Sequence, residues 1–214
     1  MDRYTFQYRV QIHILCFVLC LCYFSCKEVK APEKSFDTKL LSKHEVEFLN
    51  STLWLPPNYE KLTYDALFEI AKVTDDALVN MLLQSAKEYR DQEKKPVFFR
   101  DEFVPNNFIA LYPRLYILLN KTAASYYISD FAARMKREDQ QYGRTSEIVE
   151  KRIKSFGGHK MVKLKVKQTF AFSDNRHFMQ YFISSSIRSF MVIHIDVINS
   201  DYEANFKELS LGSD

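Results

Sequence analysis

The apolar and polar positions divide the chain into three parts. Val10–Ser25 (VQIHILCFVLCLCYFS) is apolar apart from Gln11 and His13, and it ends at Cys26. Lys27–Lys39 (KEVKAPEKSFDTK) is charged. Beyond it, short apolar runs alternate with turn-forming and charged stretches. The clearest pattern lies in the last third. In Val162–Phe172, Val162, Leu164, Val166, Phe170 and Phe172 share one face, and Lys163, Lys165, Lys167 and Thr169 share the other. Such alternation predicts a strand with one covered face, with Gln168 the polar exception on it. Ser173–Arg176 is turn chemistry. His177–Ser184 and Ser189–Val197 complete a three-strand C-terminal meander. A turn centred on Ser185-Ser186 sets His177 opposite His194. It puts Met179, Tyr181, Ile183, Phe190 and Val192 on one face, and Phe178, Phe182, Met191, Ile193 and Ile195 on the other. Both faces are apolar, so the sheet needs cover on both sides.

Upstream, Val46–Leu55 predicts a first strand stopped by Pro56-Pro57. Thr63 or Asp65 caps a helix over Ala66–Val73. Asp75-Asp76 opens another over Ala77–Arg90, whose inner face holds Leu78, Leu82, Ser85 and Tyr89. Val97–Phe99 is a short strand, and Arg100-Asp101-Glu102 a solvated turn. Phe108–Leu119 is a strand region interrupted at Pro113, which suits an edge or a bulge. Thr122–Lys136 is a helix with the stripe Ala124, Ile128, Phe131 and Met135. Tyr126 and Tyr127 cannot share a face of it. The charged stretch Glu138–Lys154 reads as helical around Ser146–Lys154, ended by Gly157-Gly158. A short segment closes the chain at Leu211. These elements make one α+β domain over residues 43–214, with an antiparallel sheet covered by helices on both faces.

Composition narrows the class. Among 214 residues, 47% are hydrophobic, with 18 Phe and 13 Tyr, which argues for a packed core and against disorder. The formal net charge is +3, too small for electrostatic capture of nucleic acid. The 4 cysteines, Cys16, Cys20, Cys22 and Cys26, all lie within the apolar stretch or at its end. Cys26 therefore has no disulfide partner in the body.

Three readings compete for the leader. A secretory signal wants small residues before its cut: a cut after Ser25 puts Tyr23 at −3, which fits poorly, whereas a cut after Cys22 puts Cys20 there, which is tolerable. As a membrane helix, about 16 residues span roughly 24 Å, short of a roughly 30 Å hydrocarbon core. In the third reading, Tyr23-Phe24-Ser25-Cys26, followed by Lys27-Glu28, resembles the lipobox of Bacteroidetes-type lipoproteins. Tyr23 departs from the Leu usual at its position. The resemblance implies a signal peptide over 1–25, cleavage before Cys26, acylation of Cys26, and a lipidated N-terminus with a flexible tether over 26–42. It implies a cell-envelope protein anchored to a membrane by lipid, with secretion as the alternative. Several acyl chains hold a protein where one binds marginally.

The stretches LWLPPNYEKL near the start and KLKVKQTFAF, HFMQYFI and SFMVIHI near the end resemble the PsbP-like family, over roughly Val46–Leu211. The resemblance implies an α/β/α sandwich around an antiparallel sheet. It carries over no catalytic residues.

The search for chemistry yields few groups. His177 and His194, facing each other, would make half a metal site with no third ligand. Lys163, Lys165 and Lys167 form a basic strip that could meet phosphate headgroups or could simply be solvated. Trp54, the single tryptophan, is a candidate stacking residue. No phosphate loop, G-x-S-x-G, H-E-x-x-H or body C-x-x-C occurs. No metal or cofactor is expected. The expected function is a non-enzymatic, membrane-anchored binding or accessory domain with a protein or small-molecule partner. The alternatives are a secreted or periplasmic enzyme and a structural subunit of a membrane-associated complex.

Overall fold

The structure, a computed structural model, describes residues 39–74, 77–89, 92–170 and 175–212. The leader, Cys26, most of the tether, Asp75-Asp76 and the Ser173-Asp174 turn lie outside the described residues. Two strands, β1 (Ser42–Val46) and β2 (Ser51–Leu55), form a hairpin. A single predicted strand over Val46–Leu55 is thus corrected. A 3-10 turn at Glu47–Leu49 and Asn50 at φ 52° reverse the chain, a conformation asparagine tolerates.

The remaining strands are β3 (Tyr59–Leu62), β4 (Val97–Asp101), β5 (Phe108–Arg114), β6 (Arg144–Phe156), β7 (His159–Phe170), β8 (Arg176–Ser184) and β9 (Ser189–Asp196). They form one seven-stranded sheet in the order β3-β4-β5-β9-β8-β7-β6, antiparallel throughout. Pro113 sits in an inner strand, yet β4 ends its pairing at Leu111, so no neighbour needs the missing N–H on that side.

The helices are α1 (Tyr64–Thr74), α2 (Ala77–Lys87), α3 (Lys121–Tyr142) and α4 (Glu203–Leu211). Thr63 Oγ1 accepts from the Ala66 N–H at 3.1 Å at the start of α1. Asn120 Oδ1 caps α3 through the Ala123 N–H at 2.8 Å, and Gly143 at φ 60° ends it. The α3 stripe packs inward as its spacing predicts: Ala124 and Phe131 are buried, with Ile128 and Met135 against the same core.

Two cores flank the sheet. Helices α1, α2 and α3 cover one face, where Phe178, Phe182, Met191, Ile193 and Ile195 are buried. The β1–β2 hairpin and α4 cover the other, with Met179, Tyr181, Ile183, Phe190 and Val192 beneath Leu53, Phe206 and Leu209. The fold is α+β, an antiparallel sheet with helices on both faces, and a hairpin completes the second layer.

Three further expectations change. Ser146–Lys154 is not helical but the middle of the edge strand β6. A bulge leaves Val149 unpaired, and this breaks the period-2 alternation. Ile148 pairs with Val166 on the helical face, whereas Glu150 and Arg152 pair with Lys165 and Lys163 on the opposite face. Asp101 is a buried strand end rather than part of a solvated turn: its Oδ1 accepts from the Phe103 and Val104 N–H groups at 2.8 and 3.0 Å. The β8–β9 turn runs over residues 185–188, so Ser184 faces Ser189 and His177 faces Asp196, not His194. The slip is two residues. Because side chains alternate with period two, the assignment of residues to faces survives it.

Candidate functional site

The residues singled out from sequence do not converge. Trp54 is half-buried on β2 opposite Lys43, and its carbonyl accepts from Asn205 Nδ2 at 2.6 Å, tying the hairpin to α4. His194 is fully buried opposite Met179, beside the rings of Tyr202 and Phe206. Burial holds its pKa well below the ordinary range, although the Asp196 carboxylate stands 3.8 Å away. Neither ring nitrogen has a hydrogen-bond partner among the described residues. His177 is half-buried on the same face, its pKa lowered by burial and then by the Lys165 charge. Among the described residues, no three His, Cys, Asp or Glu gather as metal ligands.

The lysine strip is divided by its cover. Lys167 is exposed and Lys165 half-buried, but the Lys163 side chain is only 3% exposed. Lys163 Nζ lies 3.0 Å from Glu203 Oε2 and 3.4 Å from Glu150 Oε2, under α4. Glu203, in the first turn of α4, also receives Arg152 at 2.9 Å, Lys154 at 2.8 Å and Lys207 at 3.0 Å. These cations overcome the cost of burial and hold its carboxyl down at about 2. All four cations reach Glu203, and Arg152 and Lys163 also reach Glu150, so the cluster clamps α4 onto the sheet.

A better candidate opens on the other face, between α2, α3 and the sheet. The cleft holds about 140 Å³ and opens to solvent. Its apolar wall is Leu78, Met81, Phe131 and Met135; its polar lining is Arg114, Arg134, Glu138, Arg144, Gln168 and Gln180. Strand alternation places Gln168 on the same face as Leu164 and Val166, and Gln180 between Phe178 and Phe182. Gln180 Nε2 donates to the Tyr127 hydroxyl. Burial pushes that hydroxyl up to about 12, so it keeps its proton at neutral pH. Gln168 is buried, and its Oε1 accepts no hydrogen bond among the described residues.

The charges in the cleft are unequal. Arg144 is buried and matched by Glu138 at 2.7 Å and Asp139 at 3.0 Å. Asp139 in turn accepts from the Ser146 N–H and hydroxyl, locking the turn from α3 into β6. Arg114 and Arg134 form no ion pair among the described residues. Arg114 Nη2 approaches Met191 Sδ at 3.6 Å, and the Arg134 guanidinium lies 5.8 Å from the centre of the Phe131 ring. The cleft thus carries surplus positive charge beside an unused buried acceptor. Sequence reasoning noted Gln168 but not Gln180 or the arginines. The available signal was the polar residue interrupting each apolar strand face.

No protein-family model matches this chain, and no characterised protein sequence does. Among solved structures, cyanobacterial PsbP (CyanoP) from Synechocystis is similar at 10% identity and a TM-score of 0.48, covering 86% of this chain and 95% of its own. The Ran-binding protein Mog1p of Saccharomyces cerevisiae is similar at 11% identity and a TM-score of 0.42, covering 80% and 93%. A Pseudomonas aeruginosa protein of unknown function follows at 11% identity and a TM-score of 0.31, covering 80% and 94%. No helix among the described residues is long and apolar enough to cross a membrane.

Proposed function

We propose that the chain is an exported, non-enzymatic binding domain, lipid-anchored in the cell envelope through Cys26, whose cleft takes a small anion-bearing ligand. The observation that carries the binding role is the cleft itself: two guanidinium groups without counter-ions and a buried amide oxygen without a donor among the described residues, in one concave site. Guanidinium groups suit carboxylate and phosphate oxygens. Gln168 Oε1 suits a ligand hydroxyl or N–H. The anchor is supported by the order of the sequence: apolar stretch, Tyr23-Phe24-Ser25-Cys26, charged tether, then a body without cysteine.

The enzyme reading has the same cleft as its natural place. There, Glu138 is the one carboxylate in the lining, and it is held by Arg144 at 2.7 Å. That leaves it poorly placed as a free base.

Calorimetric titration of the full chain with inorganic phosphate and with succinate tests the cleft. Binding of one of them, weakened at least about tenfold by Arg134→Gln, supports the reading. Gln168→Leu separates function from folding. It removes a buried unsatisfied group, so the melting temperature should hold or rise while affinity for a donor-bearing ligand falls. If neither anion binds, the ligand assignment is wrong.

A further inference from the structure

Four consecutive large apolar side chains stand in the open at one end of the sheet. Leu115, Tyr116, Ile117 and Leu118 are 89%, 47%, 46% and 63% exposed, whereas the next residue, Leu119, is buried. Ile187, in the β8–β9 turn, is 63% exposed. The two segments are fastened together. The Ile117 N–H donates to Ser189 Oγ at 3.0 Å, and the Ser184 hydroxyl donates to the Ile117 carbonyl at 2.6 Å. Ser184 and Ser189 are themselves the closing pair of the hairpin. The apolar side chains therefore project from a fixed backbone. Contiguous exposed apolar surface of this kind marks a contact site.

The surroundings specify its partner. Residues 103–129 and 175–195 contain no Asp or Glu. The same stretches place Arg114 and Lys121 beside the apolar tip, while Arg188 is held by the fold, its Nη1 donating to the Leu49 carbonyl at 2.8 Å. Lys160, exposed and paired across from Ser184, adds a further cation at that end. An apolar point flanked by Arg114, Lys121 and Lys160, with a tyrosine among its side chains, matches the layering of an anionic bilayer: phosphates above, acyl chains below.

We propose that the Leu115–Leu118 loop and Ile187 insert into the headgroup layer of an anionic phospholipid bilayer, with Lys121 and Lys160 on the phosphates. This extends the anchored reading without depending on it, because the tip would insert whether or not Cys26 is acylated.

The test uses the full chain with Trp54→Phe and a single tryptophan reporter, Tyr116→Trp. Phe103→Trp, in the β4–β5 turn at the opposite end of β5, serves as control. Each is diluted from detergent into vesicles of phosphatidylcholine, with or without phosphatidylglycerol, carrying brominated acyl chains. The expected result is blue-shifted, quenched emission from position 116 in anionic vesicles, weaker quenching in neutral ones, and none from position 103. Leu115→Ser with Leu118→Ser should lower vesicle partitioning by about tenfold or more. Three results would overturn the proposal: no quenching at 116, equal quenching at both positions, or a blue shift at 116 without vesicles that grows with protein concentration and reports self-association. An acylated Cys26 together with an unquenched probe at 116 would reject the tip and leave the anchor standing.

Discussion

Replacing Glu203 with glutamine removes the acceptor at the centre of the α4 clamp. In the native protein four cations reach that carboxylate within 3.0 Å. Its pKa is held at about 2 against an ordinary 4.5. At about 1.4 kcal/mol for each pH unit, that gap is worth roughly 3 kcal/mol. Arg152 and Lys154 are 38% and 34% exposed, so solvent screening brings the figure to about 2 kcal/mol. The substitution also leaves Lys163 buried with Glu150 at 3.4 Å as its nearest remaining anion. The expected total loss is therefore about 3 kcal/mol, in the lower part of the range for breaking a buried pair. Equilibrium urea unfolding at pH 7, followed by Trp54 fluorescence, measures it. Adding Lys163→Met should recover part of the loss, because no unpaired cation then stays buried. The acid response fixes the sign. A depressed carboxylate pKa gives stability that is complete above about 4.5 and fades as pH falls toward about 2, and the variant lacks that part of the acid transition. A loss below about 1 kcal/mol, or no recovery in the double variant, would refute the clamp.

Other outcomes follow from local geometry. Asn120→Ala removes the α3 cap and should cost about 1 kcal/mol in the same unfolding assay. Deleting Val149 should change stability by less than about 1 kcal/mol, because it regularises β6 while leaving Glu150 opposite Lys165 and Arg152 opposite Lys163; amide exchange would show β6 still protected. Burial lowers the pKa of His44, His177 and His194, so their neutral forms favour the native state above about 6.5 and stability falls as pH drops below it. Unfolding free energies at pH 7 and pH 5 should show that fall, and His194→Phe should reduce it.

The faces of β8 and β9 were readable from sequence because both faces, inside the strand ends, are apolar apart from His177, Gln180 and His194, and a two-residue register slip cannot exchange them. The α3 helix was readable from its stripe and its cap. β6 was not. Its charged residues favour helix or solvent, and the bulge at Val149 breaks the alternation that identifies a strand. Lys163 was misplaced for another reason. A strand pattern shows which residues share a face but not what covers it, and the residue that buries and neutralises Lys163 lies 40 positions away at Glu203. The cleft arises the same way, from sequence-distant Arg114, Arg134, Gln168 and Gln180 meeting between two helices and the sheet. Each looked like an isolated polar residue in the linear chain.

The central claim, a binding domain held in the envelope through Cys26, is tested most directly by the intact mass of the N-terminal peptide of the processed protein. The account predicts a peptide beginning at Cys26 and carrying acyl chains. A peptide beginning elsewhere in the leader, or an unmodified Cys26, would contradict it.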